Sequence, residues 1–314
     1  MVDMVEPTRL RSALLTGGST DLGLLVRRRL GYAGVGVREL QPEHCSADHL
    51  EQACSGVDVV VHLESSLPQR EHRSSDAAEP FAKLLDAAAQ RVRRFVLHSS
   101  VQVYAPVPMP RWPILEHFPR FAHGTPSAQT YGQRKIDKEN ALLYTAAQSP
   151  MEFVVLRSTE IFGTECGFAE HVLELIGLRP AVAVQRYSAI GVMQWVHVED
   201  LADAILVAAL DDAAADQAFT IAGPESFTVS ELAEAAWSND ASLLRADRPA
   251  KFTSVKAASM MGWVPDRRLS DVFVPPEPLH RGGWRSTIGA SSYPESNGDQ
   301  LPAGSAWGLM QSPW

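Results

Sequence analysis

The chain is poor in cysteine and lysine and has no long apolar run. Its three cysteines, Cys45, Cys54 and Cys166, are an odd number without paired spacing, which argues against a disulfide framework and for a reducing compartment. Five lysines stand against 23 arginines, and the formal charge is −9. An acidic chain with scattered arginines lacks the basic face that nucleic acid requires. No stretch approaches the length of a membrane span, and no charged-then-apolar segment opens the chain, so a soluble, cytoplasmic protein is expected. His44 and Cys45, with His49 and Cys54 beyond them, match no zinc spacing, and no metal is expected.

What is present is enough chain, 314 residues, for a large α/β domain with a smaller lobe. Apolar runs at Ala13–Leu15, Val35–Leu40, Val57–Leu63, Arg94–Ser100 and Phe153–Arg157 alternate with helical patterns. The helices are expected over 46–55, 77–91 and about 127–148. Near-continuous apolar strands separated by helices predict a parallel sheet covered on both faces, with right-handed crossovers. Further on, Gln194–Val198 reads as a strand handing over to a helix at Glu199–Leu210, followed by strand Phe219–Pro224 and a helix from Thr228 to Trp237. From Pro275 onward Pro, Gly and Ser make up 18 of 40 residues. That composition cannot bury a core, so 275–314 reads as a tail. It nonetheless carries Trp284, Trp307 and Trp314, which would suit docking onto this or another subunit.

Thr16-Gly17-Gly18-Ser19-Thr20-Asp21-Leu22-Gly23 stands between the first strand and the first helix. Strand, glycine turn and helix form the context in which such a motif means a dinucleotide site, with backbone N–H groups facing a pyrophosphate. The usual spacing is Gly-x-x-Gly-x-x-Gly, and here the middle position is Thr20. The acid that accepts the adenosine ribose hydroxyls is expected near the end of the second strand. By register that position is Gln41, with Glu39 two residues earlier on the same side and Arg38 able to meet a 2′-phosphate.

Tyr131 and Lys135 lie four apart on a predicted helix and so share a face. An ammonium near a phenol favours phenolate, which suits proton transfer. Ser100 ends a strand at the edge where open α/β sheets bind ligands. It could orient a substrate carbonyl or hydroxyl toward the phenol. Residues 105–127 form a long proline-rich loop of the kind that carries function.

The ordered set Thr16-Gly17-Gly18 with Gly23, Val57–Leu63, Ser99-Ser100 with Val103-Tyr104, Tyr131–Lys135, Leu156-Arg157 with Phe162-Gly163, Trp195–Asp200 and Gly223-Pro224, with Gly262–Pro265 beyond, resembles an extended short-chain dehydrogenase/reductase of the NAD-dependent epimerase/dehydratase family. The likeness runs from about Arg11 to Phe273. It implies a doubly wound, Rossmann-like α/β fold with a small C-terminal substrate lobe. Residues 1–165 would form the core, with its sheet completed by about 193–222. Residues 166–192 and 223–274 would form the lobe.

The resemblance also implies an NAD or NADP cofactor. Its contacts would be at Gly17, Gly18, Thr20, Leu22 and Gly23, at Gln41, at Asp58 (beside the adenine), Val59 and Leu63, and at Lys135. Tyr131 would be the acid/base, Lys135 its electrostatic partner and Ser100 the polarising hydroxyl. The expected activity is an NAD(P)-dependent oxidoreductase or epimerase acting on a carbinol or carbonyl of a small molecule, such as a sugar nucleotide or a secondary metabolite. The expected assembly is a homodimer through the helix bearing Tyr131 and its neighbour. Departures at Thr20, Gln41 and Glu64 all fall on the cofactor side. They motivate two alternatives, a non-redox acid/base enzyme and a catalytically silent binding protein on the same scaffold. The short span from Gly163 to Trp195 implies a compact lobe.

Overall fold

The computed structural model describes residues 10–40, 46–63, 78–104, 113–121, 131–164, 167–188, 191–238, 240–244 and 249–272. Gln41, Cys45, Glu64, Cys166, most of the 105–127 loop and the tail lie outside them.

Five apolar segments and one later strand build a parallel sheet. These are β1 (Ser12–Thr16), β2 (Gly36–Leu40), β3 (Val59–His62), β4 (Arg94–Ser100), β5 (Glu152–Ser158) and, after two short strands, β8 (Gln217–Ile221). Their order is β2-β1-β3-β4-β5-β8, and every pairing is parallel. The order reverses beside β1, so ligands are expected over the carboxyl ends there.

One face of the sheet is covered by α1 (Asp21–Tyr32) and α7 (Val198–Leu210), whose Val26, Leu30, Leu201 and Ile205 pack with Leu15, Val61 and Val96. The other face is covered by α2 (Ala47–Cys54), α3 (Ala78–Ala88) and α4 (Tyr131–Ala146), which bury Leu50, Phe81, Leu85 and Leu142 against Leu14, Val60 and Phe95. Side chains alternate across each strand, so one apolar run feeds both layers.

Two short strands leave this sheet. β6 (Glu160–Phe162) pairs with β7 (Met193–His197), which pairs on its other side with β9 (Ser226–Phe227), in a separate three-stranded sheet. The resemblance implied that about 193–222 completes the main sheet. In the structure β8 alone returns to it, while α7 packs on its face. The cause is that Thr159 is the last residue bonded to the main sheet, through Ile221, after which the chain turns outward.

The small sheet packs with α5 (Phe168–Leu178), α6 (Pro180–Tyr187) and α8 (Val229–Ser238) around Phe162, Trp195 and Phe227. The later helix α9 (Val255–Met261) behaves otherwise. Ala257, Met261 and Trp263 join the core under α7, and the Trp263 indole donates to the Asp200 carbonyl at 3.0 Å.

Candidate functional site

The glycine turn is shaped by backbone requirements at two positions. Gly17 has φ +71°, and a Cβ there would lie 2.7 Å from the Leu63 carbonyl oxygen. A Cβ on Gly23 would lie 2.2 Å from the Gly17 oxygen. The first helix therefore closes onto the turn only because both residues lack side chains.

Thr20 needs no such freedom. Its backbone is extended (φ −82°, ψ 161°) and it is the N-cap of α1. The hydroxyl donates to the Gly17 oxygen at 2.8 Å and accepts from Gly23 N at 3.0 Å, which is what a capping threonine does. The side chain is thus folded onto its own turn, and the departure from glycine requires no rearrangement of the loop. By geometry the first N–H groups of a helix have no acceptor inside it and attract an anion. The cradle fits a dinucleotide pyrophosphate.

The acid at the end of β2 is Glu39. Its carboxyl lies against Gly18, close enough that a Cβ there would be 2.9 Å from the Glu39 Cδ. Arg27 of α1 holds it at 2.7 Å. Arg38 turns the other way and donates to the carbonyls of Gln52, Ala53 and Ser55 behind α2.

Two positions expected at the cofactor belong elsewhere. The Asp58 carboxylate accepts from Arg11 N at 2.7 Å, Ser12 N at 2.9 Å and Ser12 Oγ at 3.0 Å. Partial burial raises its pKa, but these donors outweigh it and hold the carboxyl below the usual value. It sits at the amino end of β3, the far edge of the sheet from Gly17, and ties β1 to β3. Val59 beside it is fully buried in the core. Leu22 is buried in the α1 layer, and Leu63 meets the turn chiefly through its backbone carbonyl.

Tyr131 and Lys135 stand on α4, which four contacts hold in place. At its start, a Cβ on Gly132 would lie 2.5 Å from the Gln102 oxygen. The helix therefore lies directly on the 3-10 turn Val101–Val103. The Ser100 hydroxyl caps that turn by accepting from Gln102 N at 3.2 Å. Gly132, next to Tyr131, and Ser100 thus both meet Gln102. One turn on, Lys135 is buried and its Nζ donates to the His98 carbonyl at 2.9 Å, while the ammonium lies 5.3 Å from the Tyr131 ring centre.

The third contact is Glu139, fully buried. It accepts from Ser99 at 2.5 Å, Arg157 at 2.8 Å and Arg120 at 2.8 Å. Lys138 makes the fourth, to His62 at 3.3 Å. Arg157 also reaches the Tyr104 hydroxyl at 3.1 Å, and burial pushes that phenol above its ordinary pKa.

The lobe contributes a second acidic feature. Glu160, two residues past the Ser158 that pairs with Ser100, is pushed up to about 8 by burial and then by Glu170. Glu170 accepts from Gly163 N at 2.7 Å and Thr164 N at 3.0 Å.

Sequence reasoning had proposed the glycine turn, Ser100, Tyr131 and Lys135, of which the structure sets Ser100 on the Val101–Val103 turn, Tyr131 beside the Gly132 that lies on Gln102, and Lys135 on the His98 carbonyl. It missed Gly132 and Glu139. The signal for Glu139 was its spacing of four from Lys135, which puts both on the buried face of one helix. Of the histidine and cysteine set, His49 bonds the Ser46 cap at 2.7 Å. Cys54 is buried, and burial pushes its thiol up to about 11. No helix among the described residues is long and apolar enough to cross a membrane.

A family model described as NAD dependent epimerase/dehydratase family matches residues 14–222. No curated protein is found to be similar. Among solved structures, a short-chain dehydrogenase/reductase superfamily protein from Agrobacterium tumefaciens with bound NAD is similar, with 21% identity over 83% of this chain and 94% of that one, at a TM-score of 0.62. UDP-glucose 4-epimerase from Thermotoga maritima with UDP-glucose has 19% identity over 83% and 95%, at a TM-score of 0.64. RMD from Pseudomonas aeruginosa complexed with NADPH has 17% identity over 83% and 94%, at a TM-score of 0.63. At these identities the likeness is one of fold.

Proposed function

Since the chain belongs to the NAD dependent epimerase/dehydratase family, we propose that it is an oxidoreductase or epimerase that uses NAD in preference to NADP. Its substrate is a small molecule, a sugar nucleotide or a secondary metabolite, that presents a carbinol or carbonyl to Tyr131. The observation that carries this reading is the seating of Tyr131 and Lys135 on a helix pressed by Gly132 onto the turn that Ser100 caps. When bound, a nicotinamide dinucleotide supplies a hydride donor or acceptor for one substrate carbon.

The residues of the chain do the rest. The Lys135 ammonium, fixed by the His98 carbonyl, favours the phenolate form of Tyr131 by charge. The phenolate takes the hydroxyl proton as the carbinol is oxidised and returns it on reduction. Ser100 accepts one bond, from Gln102. Its own proton, with no acceptor among the described residues, can hydrogen-bond the substrate oxygen and orient it.

The preference for NAD rests on Glu39. Its carboxylate lies over Gly18, where it can accept from the adenosine ribose hydroxyls and repel a 2′-phosphate. The arginine that could have met that phosphate, Arg38, is engaged behind α2. The non-redox alternative loses one of its motives, because Thr20 is an unstrained cap. Calorimetric titration of the purified chain with NAD and NADP in parallel tests the reading. NAD is expected to bind roughly tenfold tighter or more, and Glu39→Gln to narrow that ratio. Absence of binding by either dinucleotide would end the hydride mechanism.

A further inference from the structure

A hydrogen-bond chain runs under the carboxyl edge of the sheet from α4 to the glycine turn. The Lys138 Nζ lies 3.3 Å from His62 Nε2, His62 Nδ1 lies 2.9 Å from Thr16 Oγ1, and Thr16 Oγ1 donates to the Leu63 carbonyl at 3.3 Å. Its direction follows from what each group can do. An ammonium has donors and no acceptor, so His62 must present a lone pair at Nε2. A neutral imidazole with its lone pair there carries its proton on Nδ1 and donates it to Thr16. Thr16 then has its own proton for Leu63, as the geometry has it. The chain ends on the carbonyl against which Gly17 closes at φ +71°. Around it, Phe81 of α3 packs on the imidazole with ring centres 4.9 Å apart, and Lys138 lies 5.0 Å from the Phe81 ring centre.

The geometry points to Lys138 and His62 as positioning residues for the dinucleotide cradle. Lys138 holds His62 as the neutral Nδ1–H tautomer, and that N–H, through Thr16, fixes the Leu63 carbonyl on which the glycine turn rests. The same helix bears Tyr131 and Lys135, so one chain of bonds sets the cradle and the acid/base pair in common register. This inference rests on the proposed dinucleotide site for its consequence, but not for the tautomer itself.

Two readouts separate those parts. Nitrogen-15 NMR of the imidazoles in the full chain, without any dinucleotide, is expected to show His62 as the Nδ1–H tautomer at neutral pH. An Nε2–H tautomer or an imidazolium there overturns the inference. Titration of the variants with NAD then reads the cradle. Lys138→Met is expected to weaken NAD about five- to tenfold while barely moving the apo-protein Tm. Lys138→Arg is expected to restore affinity.

His62→Asn keeps a donor near the Nδ1 position and is expected to bind NAD better than His62→Gln, whose amide reaches past Thr16. A merely structural contact would instead lower Tm in all four variants and leave the affinity of the folded fraction unchanged, which also overturns the inference. If wild-type protein binds no dinucleotide, the functional reading fails, and the tautomer still decides the hydrogen-bond chain.

Discussion

At the amino edge of the six-stranded sheet, charged side chains are committed to backbone. Asp58 accepts from Arg11 and Ser12, and the fully buried Arg94 holds the carbonyls of Ala208, Ala209 and Asp211 at 3.1, 3.2 and 2.7 Å and the Glu152 carboxylate at 2.7 Å. At the carboxyl edge, Thr16 bonds His62, Ser100 bonds the backbone N–H of Gln102, and Lys135 bonds the backbone carbonyl of His98. There the Ser100 hydroxyl proton has no acceptor among the described residues. Both edges are polar and equally well built. The difference lies in what remains to be donated, and that is why one edge reads as a fastening and the other as a site.

The contrast is sharpest under substitution. Tyr131→Phe, which removes only the phenol oxygen, is expected to lower turnover roughly 100- to 10,000-fold with the melting temperature unchanged. Steady-state kinetics on an NAD-linked carbinol or carbonyl substrate, run beside calorimetric scans, checks both halves. Arg94→Ala should do the reverse. It leaves Glu152 with Arg93 alone and uncaps the end of α7, so a loss of about 2–3 kcal/mol in denaturant unfolding is expected, with NAD affinity of the folded fraction preserved. If Arg94→Ala also abolished NAD binding while the fold persisted, the division between edges would fail.

Asp58→Asn probes the position the sequence reading had given to the adenine. About 1 kcal/mol of stability is expected to go, because the site is partly open to water, while affinity for NAD stays level. The sign with pH follows from the direction of its shift. A carboxyl held below its ordinary value of 3.8 stabilises the fold above that pH, and the contribution fades as pH falls through the lower, native pKa. The gap between wild type and Asp58→Asn should therefore close on acidification.

The effect expected in the lobe is read against pH. Glu160 is raised from 4.5 to about 8, so the folded chain retains a proton that the unfolded chain gives up. Stability contributed by the neutral carboxyl is lost progressively as pH rises from about 4.5 to about 8 and is level beyond. Glu160→Gln should gain on wild type across that window by a few degrees in Tm. A difference independent of pH would show that the carboxyl is already ionised.

These outcomes bear on what could be read from the residues alone. The glycine turn and the closeness of Lys135 to the Tyr131 ring were legible because their residues lie within one turn or one helical repeat. The doubly wound sheet followed from the alternation of apolar runs with helices. Asp58 was misplaced, although strand direction excluded it. An acid that precedes its strand lies at the amino end, and open sheets bind ligands at the carboxyl end.

Glu39 and Gln41 are two residues apart in sequence, so strand alternation alone could not choose between them. Contacts spanning the chain were beyond local pattern. Gly132 against Gln102, and Glu139 between Ser99 and Arg157, join residues whose proximity only the fold creates. The departure of β7 into the small sheet was hidden for a related reason, since its apolar pattern serves either sheet equally.

The most direct test is a crystal structure of the chain grown with NAD. The account places the pyrophosphate at the start of α1, the adenosine ribose hydroxyls on Glu39, and the Tyr131 oxygen in the same cleft as the Ser100 hydroxyl and the nicotinamide. A Tyr131 oxygen sealed from that cleft, or NAD bound at the Asp58 edge, would contradict it.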